Sequence, residues 1–192
     1  MSEFNEKELH YKLDAEDYIQ YYLYYTSTEP NMIKTRKRSR MIFMGILILI
    51  GIFFSVRNYN TNNTIDWPTV AIFGLVIIAM YFLRVRLEKR KYQKVYEKHV
   101  SDTLSQQIQE ETSIHFSDSS LYLKEGENLS IIPFTDINRI IEVENHFYIT
   151  LADGTSIILP KQMDDSEVFK TNINQLIAKG NITFIQHLDW KW

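Results

Sequence analysis

Met41–Val56 reads MIFMGILILIGIFFSV and Trp67–Leu83 reads WPTVAIFGLVIIAMYFL, and neither stretch carries a charged side chain. The first is apolar on every side, so it lacks the polar face of a helix lying on a soluble surface. Its sixteen residues rise roughly 24 Å as a helix, short of a ~30 Å hydrocarbon core. Arg40 and Arg57 can close that gap by snorkelling toward the headgroups. Eleven of the sixteen are Leu, Ile, Phe or Val, which at mid-membrane favour insertion by roughly 3–7 kcal/mol. In the second stretch Trp67 and Tyr81 suit the two interfacial aromatic belts, and Pro68 sits in the first turn, where a helix tolerates it. Two such helices buried in a soluble core would need far more covering chain than 192 residues provide. The expectation is a transmembrane hairpin.

Its orientation follows from the flanking charge. Lys34, Arg36, Lys37, Arg38 and Arg40 precede the first span, and Arg84, Arg86, Lys89, Arg90, Lys91 and Lys94 follow the second. The ten residues Arg57–Asp66 between them carry one Arg and one Asp. Positive flanks stay inside, so both termini are expected in the cytoplasm. Lys34, Arg36, Lys37, Arg38, Arg40, Trp67, Tyr81, Arg84, Arg86, Lys89, Arg90 and Lys91 are the expected membrane-interface anchors. The outer loop is too short for a ligand-sensing domain, and its Asn62-Asn63-Thr64 sequon has meaning only in a glycosylating host. Residues 1–30 are acidic and lack an apolar core, so no cleavable signal peptide is expected.

Outside the hairpin the periodicity changes. Leu9, Tyr11 and Leu13 alternate as in a short strand. Asp14 is a good N-cap for a helix over Ala15–Ser27, with Glu16 and Asp17 in its first turn. That helix holds Tyr18, Tyr21, Tyr22, Tyr24 and Tyr25; it either packs on the C-terminal domain or lies in the membrane interface. The second span runs on into a polar helix. From Thr112 short strands follow at Ser113–Phe116, Leu121–Lys124, Asn128–Phe134, Arg139–Val143, Phe147–Leu151 and Thr155–Leu159. Glu125-Gly126 and Asp153-Gly154 mark turns, the latter of the primed hairpin type, and Pro160 ends the last strand. Asp164-Asp165-Ser166 opens a helix to about Lys179, with Val168, Phe169, Ile173, Leu176 and Ile177 on one face and Gly180 just past its end. The Leu9–Leu13 strand is expected to join this sheet as a seventh.

The expected fold class is thus an α+β membrane protein, a two-helix transmembrane hairpin plus a cytoplasmic antiparallel β-roll closed by a C-terminal helix. Residues 1–30 are the cytoplasmic strand and Tyr-rich helix, and 31–40 the basic juxtamembrane segment. Residues 41–57 and 67–84 are the transmembrane helices, with 58–66 the outer loop. Residues 85–111 form a helical extension, 112–180 the β domain with its helix, and 181–192 a tail.

The segments YKLDAEDYIQYYLYY, IIPFTDINRIIEVENHFYITL and IILPKQM, around the hydrophobic hairpin, resemble the YcxB-like family of bacterial membrane proteins. Their most specific pieces are the aromatic-acidic start and the Pro-Phe-x-Asp-Ile pattern at Pro133–Ile137. The resemblance implies a pleckstrin-homology-like (PH-like) roll in the C-terminal part and a place in the bacterial cytoplasmic membrane. It implies no reaction and transfers no functional residue.

Most chemistries lack their residues. With no cysteine there is no disulfide, thiolate nucleophile or cysteine metal site. The six glycines form no phosphate-cradling loop. His10, His99, His115, His146 and His187 show no ligand spacing, and each reads as a surface or strand residue. Asp164 and Asp165 read as helix caps. No catalytic residue, cofactor or metal site is expected. Ser55, Thr69 and the Tyr81 phenol are the only hydroxyls in the spans, so no ion pathway is marked; Gly45, Gly51 and Gly74 suit close helix packing. Thr112–Trp192 has six Lys or Arg against eleven Asp or Glu, a net of −5. That charge argues against nucleic acid and against an anionic headgroup on this domain, where Lys161 is the one exposed-looking cation near a strand end. The expected function is a non-enzymatic, membrane-anchored module binding a cytoplasmic or membrane protein, another copy of the chain included. The alternative is an anionic-lipid-binding or lipid-regulated module, drawn from the basic clusters.

Overall fold

The structure is a computed structural model that describes residues 4, 7–62, 64, 67–104, 108, 110–163, 165–179 and 182–192. Asp164 and Gly180, expected at the ends of the last helix, and Asn63 of the sequon lie outside the described residues. Two compact units divide the chain: Leu23–Val95, and Met1–Tyr22 together with Tyr96–Trp192.

The discontinuous unit holds the β structure. Strand β1 (Leu9–Tyr11) precedes helix α1 (Ala15–Thr28), whose first part lies in this unit. After the hairpin come β2 (Thr112–Phe116), β3 (Ser120–Glu125) and β4 (Asn128–Pro133), then a 3-10 turn at Phe134–Asp136. Next are β5 (Ile137–Glu142), β6 (His146–Leu151), β7 (Ser156–Pro160), helix α4 (Ser166–Lys179) and β8 (Thr183–Gln186). All six strands expected after Thr112 are present, but they form two four-stranded sheets of order β1-β2-β3-β4 and β7-β6-β5-β8. The N-terminal strand is seated as expected, antiparallel to β2 with Leu9 opposite Ile114 and Tyr11 opposite Thr112.

Three features depart from the sequence reading. The tail pairs: β8 runs parallel to β5, with Phe184 opposite Ile140, so the second sheet is mixed. The helix α4 supplies the crossover that a parallel pair requires. The Asp153-Gly154 turn is not a two-residue primed turn. Leu151 N–H donates to Thr155 O at 2.8 Å and Gly154 N–H to Leu151 O at 3.1 Å, closing a three-residue loop. Only Gly154 takes a positive φ there, +89°, as in a type I turn followed by a left-handed residue. At the other turn Glu125 pairs with Asn128 and Gly126 has φ +58°, a positive value at the first central position alone, the II′ pattern.

The core is drawn from both sheets and from α4. Ile114, Phe116, Leu121, Ile140, Ile149 and Leu159 are fully buried, as are Phe169, Ile173 and Leu176 on α4. Each such burial contributes about 1.5–3 kcal/mol. Phe169 meets both sheets, its ring 6.4 Å from Phe116 on β2 and 5.4 Å from Phe147 on β6. Phe4 stacks on Phe116 at 6.1 Å.

The other unit is a helical hairpin built from α2 (Pro30–Asn62) and α3 (Trp67–Thr103) up to Val95. The basic segment 31–40 is part of α2, and α2 continues through most of the expected outer loop, leaving residues 63–66 between the helices. The polar Asn and Thr side chains of that stretch do not stop it, because no Gly or Pro intervenes. Both helices are long and apolar enough to cross a membrane. Their apolar side chains are exposed, among them Leu49, Phe53, Ile72 and Leu75. Phe54 stacks on Phe73 at 5.7 Å. Of the three helix glycines only Gly51 lies at the contact, where a Cβ would stand 3.9 Å from Ile77 Cδ1; around Gly45 and Gly74 the space is open.

Leu9 is wholly buried though far in sequence from its partner strand. Leu9→Ala is expected to destabilise the β unit by about 2–5 kcal/mol. Denaturant unfolding of the full chain in detergent measures this; a loss within ~0.5 kcal/mol would mean that β1 is not a working part of the sheet.

Candidate functional site

The first turn of α1 is held by a reciprocal cap. Asp17 N–H donates to Asp14 Oδ1 at 3.0 Å, and Asp14 N–H donates to Asp17 Oδ2 at 2.8 Å. The N-cap expected at Asp14 is therefore present, in the form of a capping box with Asp at its third position. The second oxygen of Asp17 reaches across to β6, where His146 Nε2 lies 2.6 Å from Oδ1. His146 is on a strand, as expected, but it is buried and its ring stacks on Tyr148 at 5.9 Å. Tyr21 meets Tyr148 edge-on at 5.2 Å, and Tyr22 stacks on Tyr96 at 5.1 Å. The tyrosines of this half of α1 thus pack within the β unit, as the first of the two readings of that stretch expects.

Beside this junction is a cleft of about 370 Å³. Asp14 at the cap of α1 and Glu16 and Asp17 in its first turn line it with Glu144 from the β5–β6 turn, and Tyr148 and Trp190 add aromatic surface. No Lys or Arg is among its lining residues. Burial works against ionisation of Asp17, but its bonds to His146 and to the Asp14 backbone outweigh it and hold its carboxyl below the ordinary value of 3.8. The hydrogen bonds of Asp14 and Glu16, the latter accepting from Gln20 Nε2 at 2.7 Å, come from neutral donors and leave the charge in place. A cleft of this kind attracts a cation, and its aromatic walls suit the face of an ammonium or guanidinium group.

Lys161 is not the free cation it resembles in sequence. Its Nζ donates to Glu142 Oε1 at 2.8 Å and lies 5.1 Å from the centre of the Phe147 ring. Gln186 of β8 donates to the other oxygen at 2.8 Å. Burial of Glu142 is outweighed by these two donors, so its carboxyl is held below the usual range. A second opening of about 340 Å³ lies between the sheets, lined by Tyr18 and Glu125 among others; burial first, then the Glu125 charge, pushes the Tyr18 phenol up to about 12.

The expected membrane anchors all lie on the hairpin unit and fall into two sets. Lys34, Lys37, Arg38, Trp67, Tyr81, Arg86, Lys89, Arg90 and Lys91 are exposed. Arg36 and Arg40 instead converge on Glu88 of α3, which the sequence gave no reason to single out. Arg36 clasps it with two bonds of 3.2 Å, and Arg40 shares the same Oε2. Burial of Glu88 opposes its charge, but the two arginines hold its carboxyl below the usual range. Arg84 donates to Ser39 Oγ at 3.0 Å and lies 4.4 Å from the Phe43 ring centre.

These features define a class: an α+β chain whose small two-sheet unit accompanies a hairpin long and apolar enough for a bilayer. The model of the YcxB-like protein family matches residues 116–173, from the end of β2 into α4. The resemblance to that family therefore holds, over a stretch that includes Pro133–Ile137 and excludes the N-terminal segment and the hairpin. No curated protein matches the chain.

The depressed Asp17 carboxyl makes an acid prediction. A group whose folded pKa lies below its unfolded value stabilises above that value and loses the contribution as pH falls through the folded pKa. Thermal unfolding of the full chain is therefore expected to show a drop in midpoint below about pH 3.8 that is smaller in Asp17→Asn. An identical acid slope in both would remove Asp17 from the account. Separately, Asp14→Ala is expected to cost about 0.5–2 kcal/mol through the lost cap, read by the same unfolding measurement at neutral pH.

Proposed function

We propose that this protein is a non-enzymatic binding module anchored in the bacterial cytoplasmic membrane by its hairpin, with both termini in the cytoplasm. Its β unit, which we liken to a PH-like roll, captures a basic segment of a protein partner in the cleft of Asp14, Glu16, Asp17 and Glu144. The observation that carries the reading is that cleft: four carboxylates, the Tyr148 and Trp190 rings and no lining Lys or Arg. A Lys or Arg side chain entering it exchanges water for charge-assisted hydrogen bonds, which are roughly twice as strong as neutral ones. The net charge of −5 over Thr112–Trp192 steers a basic partner in from a distance and discourages the anionic leaflet and nucleic acid. A second copy of the chain is one candidate partner, since its juxtamembrane segment is basic. The lipid-binding alternative draws on the hairpin, not on this acidic unit.

The test is a photo-crosslinking residue at Asn145, which lines the cleft without belonging to its carboxylates, in the full-length protein in intact membranes, followed by mass spectrometry of the adducts. A protein adduct on a Lys- or Arg-rich peptide is expected, weakened by salt and lost when Asp14, Glu16 and Glu144 are changed together to Asn, Gln and Gln. An adduct indifferent to those substitutions, or one made only with lipid, would count against the cleft.

A further inference from the structure

The basic end of the hairpin holds a groove of about 270 Å³ formed by both helices. Its side chains are sorted by depth. Phe43, Met80 and Leu83 belong to the apolar stretches, whereas Ser39, Arg84 and Lys91 lie at or beyond their ends. Met80, Arg84, Leu87 and Lys91 follow one another at spacings of four, three and four residues, which puts them on one stripe of α3. Glu88 is the one carboxylate lining the groove, and Arg36 and Arg40 already neutralise it. Two arginines on one carboxylate leave a positive remainder, to which Arg84 and Lys91 add their charges. Arg84 spends a donor on Ser39 Oγ, and a guanidinium has five. Lys91 is exposed and has no carboxylate in reach among the described residues.

We propose that this groove binds an anionic phospholipid, its acyl chains against Phe43, Met80 and Leu83 and its phosphate drawn by Arg84 and Lys91. The groove's charge, its apolar floor and its place at the end of the membrane-crossing stretch all match one amphiphile. A soluble anion would leave the floor uncovered, and a zwitterionic lipid would leave the excess positive charge unmet. The proposal rests on the hairpin being membrane-inserted and not on the acidic cleft.

The full-length protein is reconstituted in equimolar phosphatidylglycerol and phosphatidylcholine vesicles containing a trace of either lipid in spin-labelled form. Insertion is scored first, by retention in the vesicles after an alkaline carbonate wash; a chain washed off overturns the proposal together with membrane anchoring. Electron paramagnetic resonance then reads the motionally restricted fraction of each labelled lipid. Phosphatidylglycerol is expected to be preferred. Lys91→Gln, which removes no hydrogen bond or ion pair of the hairpin among the described residues, is expected to weaken that preference about fivefold, and Arg84→Gln with Lys91→Gln about thirtyfold. Excess inorganic phosphate is expected to leave the restricted lipid in place. Equal restriction of the two lipids overturns the proposal. So does an equal loss from Lys37→Gln with Arg38→Gln, which are exposed on α2 outside the groove, and so does displacement of the lipid by phosphate.

Discussion

The β unit depends on the chain returning to it. Its two sheets use residues from both sides of the long hairpin, and Tyr22, where the chain leaves, stacks on Tyr96, where it comes back. If the intervening residues were flexible, closing that loop would oppose folding by an entropy that grows with its length. Across that span β1 pairs with β2 and contributes the wholly buried Leu9. Without the N-terminal segment the first sheet would lose an edge strand, and the second would lose the helix turn docked on His146.

Asp17 illustrates how one carboxylate serves two levels of structure. Through one oxygen it completes the cap on α1, and through the other it binds β6. The cap sets where the helix starts, and the His146 bond sets where that start lies on the sheet. Together they arrange Asp14, Glu16 and Glu144 around the cleft. The cluster would repel itself in isolation; it is tolerated because hydrogen-bond donors from backbone, amide and imidazole are built into it.

The elements were legible wherever neighbours in sequence decide them. The uncharged runs announced the long helices, period-two alternation announced β2 and β3, turn signals set off β4 to β7, and Asp14 announced the start of α1. The Pro133–Ile137 pattern and its surroundings carried the family resemblance that the match over residues 116–173 upholds. What stayed hidden were pairings over distance. Glu88 looks like one acid among many bases on a polar helix, and only the approach of α2 makes it the meeting point of Arg36 and Arg40. Lys161 looks free beside Pro160 until β5 brings Glu142 to it. His146 carries no motif, because its partner lies on a helix at the other end of the chain. The parallel β8 has too few alternating residues to signal itself, and its place is fixed by the crossover through α4.

Composition and periodicity alone thus determined the two apolar helices, the run of short strands, the closing helix and the sign of the charge on each part. These follow from the hydrophobic effect and backbone propensity, which act along the chain and leave a mark in every few residues. The tertiary structure decided that the strands split into two sheets, that the tail adds a parallel strand, and which acids and bases meet. Those outcomes depend on side chains that share no stretch of sequence, and a charge shows its partner only once folding has brought the two within reach.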